Sequence, residues 1–149
     1  MLNAEGLSLR LELEEAIRTA GIDDYYVENA QEIISMIKNV FVNDNYSPWW
    51  LSLKHRLSVT SYPDDTGYKN ILRIVTDKFK RGKICDDNVF IIADEGNACM
   101  CLYKIALESL INIIENCRFF EYYIVPYDLS WLICENDHGD LIVCSRMDR

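Results

Sequence analysis

The first half of the chain contains three stretches in which apolar residues recur at helical spacing. This spacing predicts amphipathic helices, each with an apolar stripe on a core and charged residues facing outward. The predicted helices run over residues 8–20, 27–41 and about 68–79. Gly21 is a natural stop for the first helix. Lys78 complements the negative end of the dipole of the third.

The segment between the second and third helices has a different pattern. Ser47 and Pro48 fit the N-cap and first residue of a short helix that carries two tryptophans. The sequence L-S-V-T-S-Y, residues 57–62, is expected to be extended. P-D-D-T-G, which begins at Pro63, is expected to form a turn.

In the second half, the period of the pattern changes. Residues 88–94, N-V-F-I-I-A-D, are short, apolar and β-branched, which is typical of a buried strand. A long helix is predicted over about 101–117, where apolar residues again follow helical spacing. Two strands are predicted to finish the chain: residues 121–135, continued across P-Y-D, and residues 140–145. The predicted class is α+β, with several amphipathic helices packed on a small, mainly antiparallel sheet that ends in a C-terminal β-hairpin.

The 149 residues contain no linker rich in proline, glycine or serine, so we expect a single α+β domain over residues 1–149. Both faces of the stretch 122–134 are apolar. This indicates either a central strand covered on both sides or a strand with one face covered by another protein chain.

The chain is acidic, with a formal net charge of −9. Such a charge disfavours nucleic acid and attracts basic partners, although it also serves solubility alone. The charged N-terminal residues do not resemble a signal peptide, and no apolar run is long enough to span a membrane. We therefore expect a cytoplasmic protein with no membrane or nucleic-acid partner.

The six cysteines are expected to be free thiols, most of them buried as small hydrophobic side chains. The chain has no Cys-x-x-Cys pair and only two histidines, which disfavours a structural zinc site. No Gly-rich phosphate loop or nucleophile elbow is present. We expect no metal and no cofactor.

The hexapeptide C-E-N-D-H-G, residues 134–139, allows two interpretations. Its composition is typical of a hairpin turn, in which Gly139 takes a positive φ. It could alternatively hold His138 as a general base or metal ligand, oriented by a nearby carboxylate. The turn is favoured because the other histidine, His55, stands alone. Asp94 and Glu95 form a second candidate carboxylate pair, at a strand end.

Residues 121–142 carry a resemblance to a known group of proteins. The elements E-Y-Y-I-V, L-S-W-L and C-E-N-x-H resemble the C-terminal part of an uncharacterised family of small bacterial proteins. That family in turn resembles single-domain proteins found in toxin-immunity neighbourhoods. It has a second histidine where Asp137 stands here, and this departure weakens a metal or catalytic role.

These observations lead to three functional hypotheses. The first is a non-enzymatic protein-binding module, of the immunity type, that neutralises a cognate toxin with a basic domain. The second is a small hydrolase or transferase that uses His138 with Glu135 or Asp137. The third is a homo-oligomeric structural protein, with a homodimer as its simplest form. The contact residues predicted for the first hypothesis are Trp131, Glu135, Asp137, His138 and Asp140.

Overall fold

A computed structural model of the chain describes residues 8–43, 48–79, 87–96 and 99–146. In these ranges six strands form a single antiparallel sheet. The strands are β1 Arg56–Ser61, β2 Asn88–Gly96, β3 Cys99–Ala106, β4 Tyr122–Pro126, β5 Trp131–Glu135 and β6 Asp140–Ser145. Their spatial order is β1-β6-β5-β4-β2-β3, which makes β1 and β3 the two edges.

Helices cover both faces of this sheet. They are α1 Leu9–Thr19, α2 Ala30–Phe41, α3 Ile71–Lys78 and α4 Leu110–Glu115. Helices α1, α3 and α4 pack on one face and form the first core with residues such as Ile91 and Ile133. Helix α2 packs on the other face with the short 3-10 helix Trp49–Ser52, and forms the second core with Ile92 and Leu132. The predicted α+β class is confirmed, and β4 and β5 are covered on both sides within the chain.

The predictions for the first half of the chain are close to the structure. Helix α1 begins after Ser8, whose hydroxyl accepts a hydrogen bond from the Leu11 N–H, as expected of an N-cap. The predicted extended segment is β1. The short tryptophan-bearing helix is Trp49–Ser52, with Pro48 in the cap position; Ser47 lies outside the described residues.

The long helix predicted over 101–117 is wrong. Its first part is β3, which a 3-10 turn at Leu107–Ser109 connects to the much shorter α4. Helices cover both faces of the sheet at β3, so the apolar residues of this strand do not need to alternate with polar ones. Cys101 and Tyr103 therefore reach the first core while Leu102 reaches the second. The same run of apolar residues also matches helical spacing.

The single strand predicted over 121–135 is also wrong, because the structure divides it into β4 and β5. The chain reverses between them at P-Y-D-L, where the Leu129 N–H donates to the Pro126 carbonyl at 3.0 Å and Leu129 takes a φ of 57°. Proline and aspartate signalled this turn. The apolar residues on either side concealed it. Within the described ranges, no helix is both long and apolar enough to cross a membrane.

Candidate functional site

The strand directions gather acidic side chains at one end of the sheet. Register places Ser61 of β1 opposite Asp140, Glu135 opposite Tyr122, and Tyr122 opposite Ala93. The end of β1, the β5–β6 turn, the start of β4 and the end of β2 therefore lie together. We call this region the acidic end; its carboxylates belong to Asp64, Asp65, Asp94, Glu95, Glu121, Glu135, Asp137 and Asp140.

A buried asparagine organises the hairpin turn at this end. Asn136 is fully buried, and its side-chain oxygen accepts hydrogen bonds from the N–H groups of His138, at 2.9 Å, and Asp140, at 3.0 Å. Gly139 takes a φ of 82° and donates to the Asn136 carbonyl. These contacts confirm the predicted hairpin turn and its positive-φ glycine.

His138 lies on the outside of this turn. Its side chain is 65% exposed, and its ring meets the Trp50 ring edge-to-face with centroids 5.3 Å apart. Its Nε2 is 3.6 Å from the nearer Asp137 oxygen, which is longer than a hydrogen bond. The imidazole is therefore supported by an aromatic contact, and among the described residues no carboxylate fixes its tautomer through a short hydrogen bond.

Glu121 lies half-buried beside the turn. Its carboxylate accepts a 3.0 Å hydrogen bond from the backbone N–H of Asp137. Burial raises the pKa of Glu121, and the negative charge of Asp137 raises it further. The nearby Trp50 indole N–H lowers this pKa slightly. That N–H is buried, and it has no hydrogen-bond partner within the described residues. The acidic end therefore contains carboxylates that repel one another.

Glu135 is buried on the opposite face of the sheet. It is 1% exposed, and its two oxygens accept hydrogen bonds from the Tyr122 hydroxyl, at 2.6 Å, and the Gly67 N–H, at 2.9 Å. Burial raises the pKa of Glu135, these hydrogen bonds oppose the rise, and the nearby charge of Asp65 adds to it. Glu135 joins β5 to the segment after β1.

The structure brings together all the predicted contact residues except Trp131. Asp137 and His138 are exposed and Asp140 is half-buried, where it accepts a 2.8 Å hydrogen bond from the Ser61 hydroxyl. Two of the predictions need correction. Glu135 is buried, and Trp131 is 3% exposed at the other end of β5, so a partner on the molecular surface does not reach either side chain.

Trp131 has a packing role instead. Its ring stacks on Phe79 with centroids 5.4 Å apart and planes 9° apart. Both side chains line a cavity of about 350 Å³ together with Asp87 and Tyr127. This cavity lies at the end of the sheet opposite His138, so the imidazole and the cavity do not form one site.

The carboxylates considered for catalysis have structural partners. Both oxygens of Glu135 accept hydrogen bonds from Tyr122 and Gly67, so this carboxylate does not orient the imidazole. Glu95 forms two hydrogen bonds with the Arg10 guanidinium, the shorter at 2.7 Å, and Asp94 accepts the Gly96 N–H. In the described part of the chain, no group of three or more histidine, cysteine or acidic side chains could hold a metal ion.

Sequence reasoning missed part of the acidic end. Asp64 and Asp65 were interpreted only as turn residues, and Glu121 and Trp50 were not connected with the hairpin. One signal was present in the sequence, because aspartate tolerates left-handed backbone angles better than most residues. Asp64 and Asp65 both take such angles here, with φ of 55° and 56°. Their position beside the hairpin depends on strand order, which a local pattern does not contain.

Fold and site together define a two-faced α+β protein with an acidic end built from separate parts of the chain. The chain belongs to the family described as "Family of unknown function (DUF6756)", whose family model matches residues 5–149. No curated protein matches the chain, and no solved structure matches it. The expectation of an uncharacterised family of small domains is thus confirmed.

Proposed function

We propose that this chain is a non-enzymatic protein-binding module that binds a basic protein partner at the acidic end. The observation that carries the proposal is the convergence of carboxylates from four separate segments on one end of the sheet. Charges collected in this way attract a basic surface and speed its association. The overall charge of −9 acts in the same direction.

The electrostatics of the two central glutamates support this proposal. The Asp137 charge contributes to the raised pKa of Glu121, and the Asp65 charge contributes to the raised pKa of Glu135. Negative charges close enough to raise the pKa of these two glutamates generate a negative potential at that place. A bound cationic group reduces this repulsion between carboxylates. The reduced repulsion makes the free energy of binding more favourable.

The aromatic pair beside the carboxylates supplies a second kind of contact. Trp50 and His138 pack edge-to-face, and Leu51, which follows Trp50 in sequence, is 58% exposed. Aromatic side chains next to charged groups are common anchors of protein interfaces. The surface therefore offers apolar area together with charge.

The partner class follows from this chemistry and from the resemblance to toxin-immunity proteins. A toxin that cleaves nucleic acid needs a basic active-site surface to hold phosphates. The acidic end is complementary to such a surface. We propose neutralisation by coverage, in which the acidic end blocks access to the active site of a cognate toxin.

The proposal is tested with the proteins encoded beside the gene for this chain. Each is expressed with and without the chain, and growth is measured. We expect at least one neighbour to arrest growth alone and to be neutralised by the chain. For that pair, calorimetry should give an affinity that falls as salt rises, because salt screens exposed charges. If no neighbour is both toxic and bound, the immunity proposal is wrong.

A pair of matched variants tests whether the acidic end is the surface that binds the partner. One combines Asp64→Asn, Asp65→Asn and Asp137→Asn at the acidic end. The control changes net charge equally through three exposed aspartates away from it, Asp23→Asn, Asp24→Asn and Asp77→Asn. We expect the first variant to lose at least tenfold in affinity and the control to lose much less. Equal losses would show that net charge, and not the acidic end, attracts the partner.

A further inference from the structure

Strand β1 is an edge strand that the two helical layers leave open. Five of its six residues are exposed, and Leu57 and Val59 are 47% and 52% exposed. Val59 is paired with Ile142, which belongs to the second core, so it projects from the α2 side of the sheet without being covered. An open strand with exposed apolar residues is a template for pairing with another chain.

The other edge of the sheet is covered differently. The Lys104 N–H of β3 donates to the Tyr25 carbonyl at 3.0 Å, so the segment before α2 satisfies part of this edge. Most residues of β3 are also at least half-buried. The two edges are therefore not equivalent, and β1 is the one available for strand pairing.

The hydrogen-bond pattern identifies which groups of β1 point outward. The Tyr62 N–H donates to the Gly139 carbonyl at 2.8 Å, and Thr60 is paired with Leu141. Inward and outward residues alternate in an antiparallel pair. The N–H and C=O groups of Val59 and Ser61 therefore point away from β6. A bulge between Arg56 and Ser58 ends the regular part of the edge.

We propose that β1 pairs antiparallel with β1 of a second copy of this chain, about a two-fold axis at Val59. In this register Val59 lies opposite its own copy, and Ser58 lies opposite Thr60 of the second copy. The two Val59 side chains then cover each other on the α2 side of the sheet, and the outward N–H and C=O groups of Val59 are satisfied. The two sheets become one continuous sheet.

Charge complementarity favours a second copy as the occupant. Arg56 is exposed at the start of β1, while Asp140 is bound to Ser61 at its end and Asp64 follows shortly after. An antiparallel two-fold arrangement brings the start of one strand to the end of the other. Each Arg56 thus approaches the acidic group of the second copy, and the contact occurs twice.

The dimer goes beyond the proposed function and leaves it intact. Because the paired strands run in opposite directions, the two acidic ends lie at opposite ends of the dimer. Apart from the Asp64 and Asp140 carboxylates that Arg56 approaches, each acidic end remains open to a basic partner. A dimer of this kind presents two docking surfaces, and loss of the dimer does not by itself remove either one.

Sedimentation velocity on the full chain tests the dimer. We expect the average mass to rise from 17.4 kDa toward twice that value as protein concentration increases. Val59→Pro should remove this rise, because it deletes an outward N–H while leaving the bonds to β6 intact. Val59→Thr keeps both the N–H and β-branching, so it should still dimerise. Circular dichroism checks that each variant is folded.

A second variant covers the case in which proline unfolds the strand. Val59→Lys places two ammonium groups opposite each other across the two-fold axis and should also give a monomer. A wild-type chain that stays at 17.4 kDa at every concentration would overturn the inference. So would a dimer that persists in folded Val59→Lys. The proposed function is tested separately, by measuring whether the monomeric variant still neutralises the toxin.

Discussion

The backbone N–H of Gly67 donates a 2.9 Å hydrogen bond to Oε2 of Glu135, and the approach is so close that a β-carbon at residue 67 would lie 2.8 Å from that oxygen. This contact joins the P-D-D-T-G segment after β1 to the end of β5. Together with the hydrogen bond from the Tyr62 N–H to the Gly139 carbonyl, it holds Asp64 and Asp65 at the acidic end. Gly67 does not take a positive φ. Glycine is favoured at this position because there is no space for a β-carbon.

Gly67→Ala should therefore destabilise the fold by about 2 kcal/mol, because the added methyl displaces a buried carboxylate from its donor. Urea unfolding measures the change. The double variant with Glu135→Ala is the control, since removing the carboxylate removes the clash. An equal cost of Gly67→Ala in both backgrounds would contradict this explanation.

Glu135 should make stability depend on pH. Its pKa is raised above the ordinary value of 4.5 in the folded state, so folding favours its protonated form. The associated stability is fully present below pH 4.5 and is lost as pH rises through the raised folded pKa. Glu135→Gln does not ionise and should lack this loss.

The measurement compares the free energy of unfolding of wild type and Glu135→Gln across this pH range. We expect wild type to lose stability relative to the variant as pH rises. Glu121 is present in both proteins, so its own titration cancels in the difference. A difference that is constant with pH would show that Glu135 titrates normally in the fold.

The hairpin turn should depend on Asn136 and not on His138. Asn136→Ala leaves two backbone N–H groups without their acceptor and should cost about 2 to 3 kcal/mol. His138→Ala removes an exposed ring and should cost below about 1 kcal/mol. Chemical denaturation of both variants checks the contrast. A large loss of stability on His138→Ala would contradict this contrast. An activity in a hydrolase screen that disappears with His138→Ala would instead support the enzymatic hypothesis.

Thiol reactivity should follow burial. Cys99 is exposed, whereas Cys134 and Cys144 are fully buried and burial raises the pKa of both thiols, that of Cys144 to about 12. Because the thiolate is the reactive form, we expect iodoacetamide to modify Cys99 before Cys134 and Cys144 in the native protein. Peptide mass spectrometry assigns each site, and denatured protein is the control. Native modification of Cys134 as fast as Cys99 would contradict the packing of the second core.

Local patterns correctly predicted the elements that pack on the core through one face and expose the other. Helix α2 has one apolar stripe and was placed within a few residues, and the hairpin turn follows from the chemistry of Asn136 and Gly139. The same reasoning failed at β3, because a strand buried on both faces has no alternation to distinguish it from a helix. It failed at the β4–β5 turn for the same reason.

The site was predictable only where it is continuous in sequence. Asp137, His138 and Asp140 are neighbours in the chain and were recognised together. Glu121 and Asp65 join them through strand order and through the contacts of Glu135, which connect residues far apart in sequence. The burial of Glu135 and Trp131 likewise depends on which face of β5 each side chain occupies and on what packs there.

The turn at Asn136 separates the residue that holds the loop from the residues that the loop displays. Asn136 and Gly139 maintain its shape from inside, while Asp137 and His138 stand outside with more than half of each side chain in water. Substitution at those two outer positions leaves the scaffold in place. A molecule built this way can exchange one recognition preference for another, side chain by side chain, without refolding its framework.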